Sequence, residues 1–215
     1  AGSRVDDPDL LGRLRAELDA FESAGGRAVA ISQDKLGTDT VVVENRAGAM
    51  SLAEALADLG HRRFAVLAGP PDLLTARDRL TGFREGLERA GAQVRAEHVV
   101  HGDFTRDGGY AAMARLLDRR DDVTCVFAVN DVMAVGAMAV MRDRGMTLPE
   151  AMAIAGFDDI STLRDVTPSL TTVRLPLERL GSTAVELMTQ PLAETPRVRR
   201  LKGEVVLRAS TPPTR

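Results

Sequence analysis

Four apolar runs along this 215-residue chain are followed by side chains that can do chemistry. The run 123–129 leads into Asn130 and Asp131, and the run 153–157 into Asp158 and Asp159. The run 99–101 leads into Asp103 and Phe104. The run 64–67 is followed, one loop further on, by Arg77 and Arg79. If each run is a parallel strand, these residues share one sheet edge, beyond the strands' carboxyl ends, where open α/β sheets bind ligands. A guanidinium, carboxylates, an amide and an aromatic ring in one place suit a neutral polyol. Arg and Asp can chelate adjacent hydroxyls, Asn can donate and accept, and a ring can cover a C–H face.

A purely structural account stands beside this one for every residue. Asn130 or Asp131 can cap the helix that follows, Asp131 more readily. Asp158 and Asp159 can be turn residues, and Phe104 can belong to the core. Arg77 and Arg79 lie near a helix start, where cations are mildly disfavoured, and a surface ion pair explains them equally well. Other candidates offer less. His61, His98 and His101 have no spacing with carboxylates that suggests a metal site, so they read as solvated. Gly69-Pro70-Pro71 lacks the Lys of a phosphate loop, and neither Ser51 nor Ser161 sits in a nucleophile elbow. Cys125, the only cysteine, cannot form an internal disulfide and reads as a buried, inert thiol. The basic run Arg197, Arg199, Arg200 and Lys202 reads as a solvated edge strand rather than an anion site. No catalytic residue, cofactor or metal is expected.

The elements that must position these groups alternate. Strands are expected at 29–32, 41–44, 64–67, 99–100, 123–129 and 153–157, with helices at 47–59, 75–90, 105–117 and 132–144. In the first of these helices Leu52, Leu56 and Leu59 share a face, and Gly60 stops it. This strand–helix rhythm means an α/β fold, with parallel sheets flanked by helices. The tail differs, with a short extended piece at 171–173, a helix at 177–188 and a last strand at 204–207. Before residue 28 there is one helix, 8–23, and no strand. The first lobe is therefore expected to be incomplete.

Composition narrows the class further. A net charge of −3 gives no electrostatic footprint for nucleic acid or an anionic membrane. No run approaches the ~20 apolar residues of a membrane span, and no secretory leader opens the chain, so a cytoplasmic protein is expected.

The chain resembles the LacI/GalR (lactose-repressor/galactose-repressor) transcription regulators. The likeness rests on LGHRRFAVLAGP at 59–70, ARDRLTGF at 76–83, VNDVMAVG at 129–136, LPE at 148–150, GFDDI at 156–160 and PSLTTV at 168–173. Order and spacing agree from about residue 29 to the C-terminus. The resemblance implies two Rossmann-like lobes of the periplasmic-binding-protein type, with a small effector between them. Residues 1–44 and 174–202 would form the N-terminal lobe, and 46–172 and 203–215 the C-terminal lobe. Crossovers are expected near 44–45, 172–174 and 202–205. Arg79, Asn130, Asp158 and Phe104 match effector-binding positions. Ser32 stands where many members have Asp. Helix 132–141, with Met133, Met138 and Met141, and the loop from Ile160 match homodimer contacts, although burial within the subunit is equally consistent with the methionines. The helix-turn-helix head of such regulators is not in this sequence, so operator DNA is expected to be reached only through that head. The implied function is effector sensing, with a sugar or related polyol as ligand. A transport-linked sugar-binding protein of the same fold is the alternative, and it would carry a leader and more aromatics than this chain's 3%.

Overall fold

The computed structural model describes residues 7–32, 34–119, 122–191 and 193–214. The ends of the expected lobes at 1–6 and at 215 lie outside them. Backbone contacts gather the chain into two compact units. One comprises the chain up to Glu44 with Asp72–Leu74 and Leu175–Gly203, and the other comprises Asn45–Pro71, Thr75–Arg174 and the chain from Glu204.

The first unit is a three-stranded parallel sheet, β1 (Val29–Ser32), β2 (Asp39–Val43) and β8 (Val198–Leu201), in the order β1-β2-β8. Helix α1 (Pro8–Ser23) starts where Asp7 accepts the amides of Asp9 and Leu10, with Pro8 inside the first turn. Its Leu11 packs with Ala30 and Leu36 on one side of the sheet. On the other side Leu180, Ala184 and Leu187 of α6 (Leu177–Thr189) meet Val41 and Leu201. Adjacent strand residues face opposite sides, so each helix receives its own apolar set. The basic run is less solvated than its composition suggests. Arg199 and Arg200 are exposed on the edge strand β8, but Arg197 is bonded to Asp39, Gln190 and the Leu187 carbonyl. Burial raises the Asp39 pKa, yet Arg197 and Arg27 outweigh it and hold the carboxyl below its ordinary value.

The second unit carries a four-stranded parallel sheet in the order β4-β3-β5-β6, from β3 (Phe64–Leu67), β4 (Val94–Val100), β5 (Cys125–Ala128) and β6 (Ala153–Ala155). Central strands β3 and β5 are buried at every residue, as expected of strands covered on both faces. Around them lie α2 (Asn45–Asp58), α3 (Leu74–Arg89), α4 (Arg106–Asp118) and α5 (Asp131–Asp143). Phe83 of α3 stacks on Phe127 at 4.5 Å between ring centroids and meets Phe64 edge-on at 5.8 Å. Helices α4 and α5 pack backbone to backbone, because Gly136 leaves room for the Arg106 carbonyl where any Cβ would collide. A short antiparallel ribbon, β7 (Thr172–Arg174) with β9 (Glu204–Val206), completes the unit.

Boundaries differ from the sequence expectations where hydrogen bonding overrides apolarity. Strand β4 begins at Val94, five residues early, because Arg95, Ala96 and Glu97 lie exposed on a sheet edge and carry no apolar signal. The sequence also gave no sign of the 3-10 turn at Ser161–Asp165. Two histidines read as solvated are buried, namely His61 at 3% and His98 at 4% exposure. Cys125 is fully buried, and burial pushes its thiol pKa up, so it is inert.

Candidate functional site

The strand ends of the second unit bring the expected residues into one polar cluster. Arg79 lies in the second turn of α3, is 4% exposed, and points its guanidinium at the sheet edge. Nη2 donates to Asp158 Oδ1 at 2.8 Å, Nη1 to the Val129 carbonyl at 2.8 Å, and Nε to Asn45 Oδ1 at 2.9 Å. Its Cζ lies 3.9 Å from the Phe157 ring centroid, a cation–π contact that fixes the fork further. A guanidinium with this many partners is pre-organised rather than mobile. Arg77, two residues earlier, is exposed on the same helix.

Asn130 is 2% exposed. Its Oδ1 accepts the Met133 amide at 2.8 Å, so Asn130, not Asp131, is the N-cap of α5. Its Nδ2 donates to the Phe104 carbonyl at 3.4 Å, tying β5 to the loop that carries the ring. Phe104 is half-buried, and beside it His101 Nδ1 bonds the Gly69 carbonyl at 2.8 Å. The side chain of Asp158 is 27% exposed while it is paired with Arg79. Chemically, the cluster presents charge-assisted donors and acceptors beside an aromatic face, as recognition of hydroxyl groups requires. The sequence reading missed Asn45, Phe157 and the Val129 carbonyl. The rule that located the others, polar residues just after a strand, also marks Asn45, which follows β2.

The backbone at the site is strained. Asp158 has φ +123° and Asp159 φ +57°, values that non-glycine residues rarely adopt. Asp159 is clamped by Arg174 and Arg208, each at 2.7 Å. Burial raises its pKa, but the two guanidiniums prevail and keep it below the ordinary carboxylate value.

The expected dimer residues divide. Met133 and Met141 are wholly covered inside the unit, whereas Met138 lines an open pocket of about 320 Å³ with Val135, Ala139, Arg142 and Val166. Ile160 is half-buried and opens the turn that leads toward that pocket. Among the described residues no group of three His, Cys, Asp or Glu can hold a metal ion, and no helix is long and apolar enough to cross a membrane.

A parallel sheet with a pre-organised polar cluster at its strand ends is the arrangement at which open α/β folds hold ligands. The comparisons with known proteins agree. The model of the periplasmic binding protein-like domain family matches residues 53–211. The HTH-type transcriptional regulator CelR of Thermobifida fusca is 38% identical over 164 residues, 76% of this chain and 48% of that protein. The HTH-type transcriptional repressor PurR of Proteus mirabilis is 37% identical over 151 residues, 70% of this chain and 44% of that protein. Among solved structures, the CelR–cellobiose complex superposes with a TM-score of 0.81 at 30% identity, over 95% of this chain and 71% of that one. A LacI family regulator from Enterococcus faecium with bound ribose gives 0.82 at 26% identity, over 93% and 76%. The chain belongs to the periplasmic-binding-protein-like family and corresponds to the effector-binding core of LacI-family transcriptional regulators. It spans about half the length of the curated relatives it matches.

Proposed function

We propose that this chain is the ligand-sensing and dimerisation core of a cytoplasmic DNA-binding regulator, that it binds a sugar or related polyol, and that it is not an enzyme. The observation that carries this reading is the Arg79–Asp158 pair, buried on the Arg side and part-exposed on the Asp side, at the carboxyl ends of the second unit's strands. Asn130 and Phe104 complete the proposed site. Cellobiose and ribose in two neighbouring regulators support a sugar as the ligand class. The pocket around Met138 and Val135, with the turn from Ile160, supports a homodimer contact. Effector binding would shift a two-state equilibrium by no more than its differential affinity for the two states. Operator DNA would be bound through a separate helix-turn-helix head.

A thermal-melt screen of the chain against sugars, sugar phosphates and nucleosides tests the reading. A ligand at ~100 times its dissociation constant adds about 2.7 kcal/mol and should raise Tm by roughly 5–10 °C. One sugar class should give the shift, and Arg79→Ala and Asp158→Ala should each abolish it. A cooperative melt unmoved by every sugar would sink the proposal.

A further inference from the structure

Asp131 follows the proposed ligand contact Asn130 but does none of the work the sequence suggests for it. It does not cap α5, and it is fully buried. Its Oδ2 accepts the amide of Ile160 at 3.0 Å, and its Oδ1 accepts the hydroxyl of Thr172 at 2.7 Å. Its own amide donates to the Phe157 carbonyl at 2.9 Å. Asp131 therefore holds both ends of the strained turn from the start of α5, its amide at Phe157 and its carboxylate at Ile160, and the carboxylate reaches β7 as well. Gly156 is part of the same arrangement, since a Cβ there would collide with Asp131 Oδ1. The turn it grips holds Asp158 and Asp159 at positive φ, and such backbone persists only where its surroundings over-determine it.

We propose that Asp131 is a positioning residue for the ligand site: its buried carboxylate holds the Asp158–Ile160 turn so that the Asp158 carboxylate stays on Arg79. This rests on the reading of Asp158 as a ligand contact, and it extends that reading to a residue with no access to solvent. The same carboxylate bonds Ile160, which opens the proposed dimer turn two residues after Asp158.

The tether is also sensitive to pH. Burial raises the Asp131 pKa to about 6, opposed by the Thr172 and Ile160 hydrogen bonds and assisted by the nearby charge of Asp158. Of the other charged groups at the turn, Arg79 is bonded to Asp158, and Arg174 and Arg208 to Asp159. Charge-assisted bonds are the stronger ones, so the turn should be held more firmly above that pH than below it.

The test compares wild type, Asp131→Asn, Asp131→Ala and Thr172→Val between pH 5 and 8. Amide hydrogen exchange at Ile160 is measured against the β5 amides, with cellobiose titrated calorimetrically alongside. Wild-type protection of Ile160 should fall several-fold as pH drops through about 6. Asp131→Asn should hold it at the low-pH value throughout, because an amide replaces the acceptor without the charge. Thr172→Val should move the midpoint upward, since the hydroxyl favours the charged form. Asp131→Ala should lose at least tenfold of both Ile160 protection and cellobiose affinity with β5 unchanged. If Asp131→Ala does not fold, the other two variants still decide. A pH step that survives in Asp131→Asn, or full cellobiose affinity after Ile160 protection is lost, overturns the proposal. The expected exchange pattern with no cellobiose binding in any form would support the tether and count against cellobiose as the ligand.

Discussion

Arg79 and Asp158 illustrate how a residue's type sets what it can do and its surroundings set whether it does. The Arg79 fork is bonded to Asn45, Val129 and Asp158 and lies over Phe157. Lys cannot copy that planar geometry. Arg79→Lys should keep the charge yet weaken sugar binding by at least tenfold in calorimetry. Asn45→Ala should act in the same direction but less strongly, because one of the fork's bonds is lost and the charge pair remains. His61 gives a second residue-scale prediction. It is buried, and neither ring nitrogen makes a hydrogen bond of normal geometry among the described residues. Burial pushes its pKa below 6.5, against a weaker opposing pull from the Pro212 backbone. Below pH 6.5 the unfolded chain binds a proton that the folded chain refuses, so this group's contribution to stability falls as pH drops. The loss approaches about 1.4 kcal/mol per pH unit at most. Denaturant melts at pH 7.5 and 5.5 should show a smaller difference for His61→Leu than for wild type.

At the scale of elements, two contacts carry most of the testable stability. Helices α4 and α5 approach so closely at Gly136 that a Cβ would overlap the Arg106 carbonyl and the Tyr110 amide. Both obstacles are helix backbone, which cannot rotate away. Gly136→Ala should therefore destabilise the second unit by roughly 1–3 kcal/mol, the cost of overpacking, despite Ala's better helix propensity. In the first unit Leu187 is 1% exposed between α6 and β2. Leu187→Ala should cost about 2–5 kcal/mol, read as a shift of the denaturation midpoint. Because Leu187 packs within the first unit's core, its variant should leave the Ile160 exchange pattern unaltered.

For the whole molecule, the chain's path matters more than any single contact. Each unit draws on segments far apart in sequence. The first needs α6 and β8 from beyond residue 174, and the second ends in the strand pair β7–β9. The assembly prediction belongs here. Val135 and Met138 border the pocket beside the turn at Ser161–Asp165. Val135→Asp should convert a dimer into a monomer in light scattering while the melt stays cooperative, since Val135 is half-buried. A wild-type chain that is monomeric at all concentrations would remove the dimerisation part of the proposed function.

Local sequence signals were enough for the α/β class, the order of most elements and the gathering of Arg79, Asn130, Asp158 and Phe104 beyond the strand ends. Those follow from local rules: strands alternate or run apolar, helices repeat at 3.6 residues, and polar residues after parallel strands gather at one edge. The tertiary structure alone decided which of those residues have surface and which are spent inside. Met133, Met138 and Met141 share one residue type and one helix, yet of the three only Met138 lines the open pocket. Asn130 and Asp131 are neighbours with interchangeable capping chemistry, but one caps the helix and the other is drawn to Ile160 and Thr172, which are distant in sequence. Long-range pairing of this kind leaves no periodicity to read, because it depends on where the chain returns and not on what stands beside each residue.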